Sequence, residues 1–337
     1  MQKKNGNARE PFMSPLHDPV FGAICANADV AGLAMESLLG AVLGSDGEAL
    51  AGNVVSVTPQ RTHETPANRG FRVDVEVRTG ENEMAVIEVE LSPERHMMLR
   101  NLAVSSHVFY GSTHKGDTVH KMAGKLPRVI HINIMDFVLR KDSRELVEPF
   151  KVMYTRNNYE VAFKQFGGYN VQLPNVARRE PDFRDGLYAW CFTLSKAHRE
   201  GKTVGEVLEM YPALKEYAKK DRGFGQFGAR YKSVTDDPEE RSRHLAWWLE
   251  HVKIAGQIQT AFLEGREEGI KEGIESAIRQ VAANMLRKGR PVEEVSSDTG
   301  IPPGELELLK DSIANRQDLL TGASPETVFP DAGEHGG

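Results

Sequence analysis

Residues 71–92 read FRVDVEVRTGENEMAVIEVELS, and the period of two in this stretch decides the fold class. Apolar and polar residues alternate from Phe71 to Arg78 and more loosely from Ala85 to Leu91, the pattern of half-buried strands. Between them lie Thr79 to Glu83, with Gly80 and Asn82, residue types that tolerate the positive φ of tight connections. A loop of these residues predicts Arg78 opposite Met84, Asp74 opposite Glu88 and Arg72 opposite Glu90. Phe71, Val73, Val75 and Val77 then share a face with Ile87, Val89 and Leu91, and the other face carries Arg72, Asp74, Glu76, Glu88 and Glu90. Opposed Cβ atoms sit roughly 4.5–5.5 Å apart, and like charges placed so destabilise a sheet. A divalent cation would offset that repulsion. A solvated acidic face with an Arg72–Glu90 cross-strand ion pair is the plainer reading of the same pattern.

Outward from the hairpin, ADVAGLAMESLLGAVL upstream places Leu33, Leu38, Leu39 and Val42 near helical spacing. Asn53 to Val57 predicts a first strand. Downstream, Pro93 precedes a second helix, ERHMMLRNLAVSSHVFYGS, at a position proline favours. PRVIHINIMDFVL (127–139) reads as a buried strand, and EPFKVMYTRN (148–157) as an edge strand, because Pro149 cannot donate to a ladder. From Asp182 strand signals vanish and successive stretches read as helical, ending in EGREEGIKEGIESAIRQ with Gly265, Gly269 and Gly273 four apart. Each interior glycine costs a helix about 1 kcal/mol relative to alanine, so this segment reads as a solvated helix of modest stability. The pattern divides the chain into a flexible arm (1–15), an α/β core (16–180), a helical region (181–265), a Glu/Gly-rich helix with a small helical module (266–319) and a disordered tail (320–337).

The chain has 337 residues, 40% of them hydrophobic and 27% charged, and a mean hydropathy of −0.43. It is long enough for one large or two ordinary domains, and no window supplies the roughly 20 apolar residues of a membrane span. The N-terminal MQKKNGNAREPFMSPLHD has basic residues but no apolar core behind them, unlike a secretory signal. Two cysteines, Cys25 and Cys191, match no metal or redox spacing and suit a reducing cytoplasm. With a formal net charge of −6, binding to nucleic acid requires a local basic patch.

Asp74 and Glu88, on neighbouring strands and one face, are the pair best suited to hold Mg²⁺, which takes oxygen ligands from one or two carboxylates plus water and phosphate. Such an ion neutralises charge developing on a phosphate and lowers the pKa of a water nucleophile. Asp74 followed by Glu88-Val89-Glu90, after a helix, a strand and a hairpin turn and before a helix bearing Arg100 and Tyr110, resembles the PD-(D/E)XK nuclease superfamily. Within it the chain is most similar to the recombination-promoting nuclease or putative-transposase branch. DPVFGAI near the N-terminus stands where that branch has Asp-x-x-Phe-Lys-x-x-Phe, VIEVE where it has Glu-x-Gln, and VIHINIMDF and the Glu/Gly-rich helix complete the likeness over about residues 16–315.

The resemblance implies a restriction-endonuclease-like mixed sheet flanked by helices, followed by an all-helical C-terminal region. It also implies a Mg²⁺-dependent (or Mn²⁺-dependent) DNA endonuclease, with Asp74 and Glu88 holding metal and Glu90 completing the catalytic set. Two departures stand out. Glu90 occupies the position of the superfamily's Lys, often Gln in this branch, and Gly22 the position of a Lys, while Asp18 and Phe21 remain. Asp18 is therefore a candidate for an additional acid, Arg72 for the missing positive charge, and Arg72, Arg95 and Arg100, with Lys115, for phosphate contacts. The alternative is an inactive nuclease fold acting as a binding or self-associating scaffold, with homo-oligomers formed through the C-terminal helices.

Other residues carry less. His96, His107, His114 and His120 match no compact metal motif, and Trp247 and Trp248 read as core and partner contacts. Residues 287–312 have a helix–turn–helix rhythm about Gly300, but Glu305 and Glu307 against Lys310 suit packing or dimerisation better than DNA reading.

Overall fold

The computed structural model describes residues 11–26, 28–65, 68–111, 116, 118–156 and 159–321. Lys115, His114 and most of the N-terminal arm and C-terminal tail lie outside the described residues. Two compact units are present, Met1–Glu250 and His251–Gly337.

In the first unit the strands are β1 (Val54–Thr65), β2 (Asn68–Thr79), β3 (Glu83–Glu90), β4 (Arg128–Met135), β5 (Val147–Lys151) and β6 (Phe166–Gln172). They form one six-stranded mixed sheet in the order β1-β2-β3-β4-β6-β5. The β2–β3 hairpin has the expected register, with Arg78 opposite Met84 and Val77 opposite Ala85. Asn82 takes φ 59° in the connection, the left-handed conformation asparagine tolerates. β3 and β4 run parallel, as do β4 and β6, and β5 lies antiparallel to β6 at the edge, where Pro149 leaves no outer ladder unsatisfied.

Strand β6 is absent from the sequence reading, because FGGYNVQ hides its period behind two glycines. The packing explains them. A Cβ on Gly168 would run into the His131 carbonyl oxygen and the Phe150 ring, so the close approach of β4, β5 and β6 requires glycine there. β1 starts at Val54, one residue after the expected Asn53, and continues past Val57 to Thr65.

Two helices precede the sheet, α1 (Asp18–Cys25) and α2 (Ala28–Gly44). α3 (Met97–Tyr110) and α4 (Val119–Lys125) make the crossover between parallel β3 and β4. α5 (Gly186–Glu200), α6 (Val204–Met210), α7 (Pro212–Lys220) and α8 (Arg222–Asp236) follow, and α9 (Pro238–Arg287) then runs for 50 residues. The main core lies on one face of the sheet. Val75, Val77, Ala85, Ile87, Val89, Ile130, Ile132 and Val171 pack there with Phe21 and Ile24 of α1, Leu39 and Val42 of α2, Trp190 of α5 and Phe227 of α8. The opposite face is covered by α3, where Val104 and Val108 pack against Met84, Val86 and Val129.

Val73 belongs to this second cluster, not to the face of Val75 and Val77 as strict alternation predicted. The break lies at Gln60 and Asp74, between the rungs Pro59–Val75 and Arg61–Val73. Gln60 takes φ 50°, and the β2–β3 ladder ends at Val75–Ile87. The outer part of the β1–β2 ribbon thus leaves β3 at Asp74, where the acids converge.

In the second unit, α10 (Val292–Thr299) and α11 (Pro303–Thr321) follow the helix–turn–helix rhythm of the sequence. Gly300 closes α10 at φ 72°. Val292, Val295 and Leu306 pack with Ala282 and Leu286 of the last turns of α9. Residues 251–277 of α9 are exposed throughout in the single chain.

Candidate active site

Asp74 and Glu88 meet where β2 separates from β3, and they replace the missing ladder rung with side-chain hydrogen bonds. The Val89 amide donates to Asp74 Oδ2 at 2.8 Å, and the Asp74 amide donates to the Glu88 carboxylate. This reciprocal clasp satisfies backbone donors that strand separation would orphan. It also brings two carboxylates together at the C-terminal end of β3. Glu88 is only 8% exposed, and Glu88 stands beside Asn133 in the β3–β4 register.

The electrostatics of the pair follow from that placement. Burial is the main cause that pushes the Asp74 carboxyl up to about 6, and the charge of Asp18 adds to it; the Val89 hydrogen bond and the charges of Arg72 and Arg100 oppose it. Burial again leads in pushing Glu88 up to about 8, followed by the charge of Asp74, with Arg100 and the Asp74 amide opposing and Asp18 adding a smaller push. Such values mark a site that favours a proton, or another cation, between its acids. Buried Cys25, close enough to feel Asp74, is itself pushed up to about 12, first by burial, so it stays a neutral thiol.

Asp18, the first residue of α1, acts on both carboxyls through its charge. The start of that helix is anchored by its neighbour His17, whose Nδ1 lies 2.9 Å from His244 Nε2. The two rings stack at 5.1 Å, with Trp247 4.8 Å from His17. Gly22, on the same helix, faces the Gln60 side chain; a Cβ there would come within 3.4 Å of it. The space that a larger residue at position 22 would enter is thus occupied by Gln60.

Glu90 and Glu76 depart from the expected acidic face. Glu90 is ion-paired with Arg100, whose second terminal nitrogen donates to Glu94 at 2.8 Å. Arg72 therefore does not supply the partner that cross-strand register predicted, because the ladder has ended before that rung. Arg72 is exposed, and its charge acts on Asp74. Glu76 is 1% exposed and is held by Arg61 at 3.3 Å, His63 at 2.9 Å and Arg78 at 2.8 Å. Burial raises its carboxyl, but the hydrogen bonds from His63 and Arg78 outweigh that and leave it below its ordinary value. Cations of the protein, not a metal, balance that part of the acidic face. Arg95 is exposed just ahead of α3.

Beneath the site runs a buried polar chain that the sequence reading did not single out. Asn101 Nδ2 donates to Asn133 Oδ1 at 2.6 Å, and Asn133 Nδ2 donates to Asn170 Oδ1 at 2.7 Å. His131 Nε2 lies 3.1 Å from the same Asn133 oxygen, and His131 Nδ1 lies 2.8 Å from Ser105 Oγ. An oxygen acceptor at Nε2 places the proton there, so Nδ1 accepts from Ser105. Burial holds His131 near 4, so it is neutral at ordinary pH. The signal available was the polar alternation in HINI, where His131 and Asn133 interrupt an otherwise apolar strand.

Among the described residues no group of three or more His, Cys, Asp or Glu is disposed to hold a metal ion. Mg²⁺ nevertheless needs only one or two protein carboxylates beside water and phosphate, and the all-oxygen pair Asp74 and Glu88 meets that requirement. No helix is long and apolar enough to cross a membrane among the described residues.

A search of curated proteins and a search of solved structures gave no match. The family model described as PD-(D/E)XK nuclease family transposase matches residues 16–264, a span that includes the whole sheet, α3 and the paired acids. The family implies DNA binding, and PD-(D/E)XK nucleases generally use divalent metals. The fold, a mixed sheet flanked by helices with a helical C-terminal region, agrees with the match, and the chain belongs to the PD-(D/E)XK nuclease family transposases.

Proposed function

We propose that the protein is a Mg²⁺-dependent DNA endonuclease of the recombination-promoting type. Asp74 and Glu88 would hold the ion, Glu90 would complete the catalytic set, and Asp18 would stand as an additional acid. The observation that carries this reading is the clasped, buried Asp74–Glu88 pair, whose carboxyls both favour a cation between them. When bound, a divalent ion supplies positive charge for the phosphate and promotes attack by water.

The chain's own residues supply the rest. The Val89 and Asp74 amides fix the two carboxylates, and rigid strands keep that geometry tight. Glu88, only 8% exposed, is largely screened from bulk water. In the reaction a water oxygen bonds to phosphorus and gives up a proton, the bond from phosphorus to one deoxyribose oxygen breaks, and that oxygen takes up a proton, leaving a phosphate monoester and a hydroxyl. Arg72, Arg95 and Arg100 are the proposed phosphate contacts, Arg being able to bind phosphate in a bidentate way.

Self-association through the C-terminal helices belongs to the same proposal. Ile258, Phe262, Leu263, Ile270 and Ile274 are exposed along α9, and an isolated helix with such a surface gains stability from a partner. The cytoplasm is the proposed location.

Supercoiled plasmid incubated with Mg²⁺ and the protein, beside an Asp74→Ala variant, tests the nuclease reading. Nicking by the wild type that falls at least 100-fold in the variant is expected. No nicking, or equal nicking by both proteins, overturns it.

A further inference from the structure

We propose that Arg100 supplies the phosphate-directed positive charge of this site and that Glu90 is the positioning residue that holds its guanidinium there. This rests on the nuclease reading and gives the anomalous acid at position 90 a role.

A phosphodiester is an anion, and the end of β3 gathers acids. Asp18 and Asp74 act on Glu88 through their charges, and Glu90 lies two residues further along the same strand. One divalent ion cannot neutralise four carboxylates, so a protein cation beside it is needed to lower the repulsion that a phosphate meets. Arg100 is the cation whose field reaches both acids of the pair, and it reaches buried His131 as well. Arg72 acts on Asp74.

The geometry keeps Arg100 in place and leaves it able to bind. Its guanidinium donates once to Glu90 and once to Glu94. A guanidinium has five N–H donors, so others remain for a phosphate, and the side chain is 40% exposed. Arg100 lies in the first turn of α3, and the adjacent Asn101 is bonded to Asn133 at 2.6 Å. Asn133 is the β4 neighbour of Glu88. One buried contact thus locks the helix carrying the cation to β4, the strand that pairs with the acid's own. A donor aimed in advance stabilises developing charge without reorganisation at the moment of reaction. An ordinary ion pair at this exposure would contribute little to stability, so a purely structural role predicts small effects of its removal.

Arg100→Ala, Arg100→Lys, Glu90→Gln and the double variant Glu90→Lys/Arg100→Ala separate the roles. Plasmid nicking is measured in Mg²⁺, Mn²⁺ affinity by calorimetry, and binding of a fluorescent DNA duplex in Ca²⁺ across a salt series. Arg100→Ala should lower the turnover rate at least 100-fold while Mn²⁺ affinity changes less than about threefold, and should reduce the salt slope by about one phosphate contact. Arg100→Lys should retain part of the rate. Glu90→Gln should lose less than Arg100→Ala. A lysine at position 90 should recover at least tenfold over Arg100→Ala, because it returns a cation to the site. Wild-type nicking by Arg100→Ala, or a Glu90→Gln loss greater than that of Arg100→Ala, overturns the proposal. If the wild type itself does not nick, the nuclease reading fails on that result; the duplex-binding series still decides Arg100, an unchanged salt slope in Arg100→Ala being the contrary outcome.

Discussion

Asp74 and Glu88 carry a cost that the folded chain bears until a cation arrives. Both carboxyls stand above their ordinary values, at about 6 and about 8, chiefly because they are buried, with the charge of Asp18 adding at Asp74 and that of Asp74 at Glu88. At these two groups the folded chain therefore holds more protons than the unfolded chain between roughly pH 4 and pH 8. Their contribution to the stability of the metal-free protein should fall as pH rises through that window and level off above it, while buried His131, held near 4, contributes the opposite slope. Thermal melts in chelator of the wild type and Glu88→Gln at pH 5 and pH 8 measure this, and a wild type that loses no more than the variant between the two would contradict it. Glu88→Gln removes the buried charge while keeping the shape, so it should stabilise the metal-free protein at pH 8 by on the order of 1–3 kcal/mol. The same substitution should abolish the rise in melting temperature that Mg²⁺ gives the wild type.

At the scale of elements, the site depends on close contacts around β4. Gly168 allows β6 to pass against the His131 carbonyl and Phe150. Gly168→Ala should destabilise the protein by about 3 kcal/mol or more in denaturant unfolding. Asn133→Ala leaves the donors of Asn101 and His131 without their shared acceptor, and Asn170 without its donor. It should cost about 2–4 kcal/mol and reduce nicking by loosening α3; an effect below about 0.5 kcal/mol would show that the chain is dispensable. These elements also mark how far the sequence could be read. The β2–β3 register was legible because turn residues and alternation agree from Val75 to Ile87. The departure at Asp74 was not, since it arises from the left-handed backbone of Gln60 and from side chains replacing a ladder rung. Strand β6 escaped notice because its glycines answer to neighbours distant in sequence. The Asp74–Glu88 convergence could be inferred from pairing. The Glu90–Arg100 pair could not, because it depends on where α3 docks after the crossover.

For the whole molecule, the central question is how a nuclease-family fold and a long exposed helix serve one protein. If α9 joins copies of the chain, sedimentation velocity should find oligomers at micromolar concentration. Ile270→Glu/Ile274→Glu, both at exposed positions, should convert them to monomers without altering the melting of the sheet. A monomeric wild type would rule out self-association through this helix. The metal pair is tested most directly by titrating Mn²⁺ into the wild type, Asp74→Asn and Glu88→Gln at pH 6 and pH 8 in a calorimeter. The account predicts that the wild type binds with release of protons and more tightly at pH 8, and that either variant loses at least tenfold in affinity. Absence of binding by the wild type, or unchanged affinity in both variants, would contradict it.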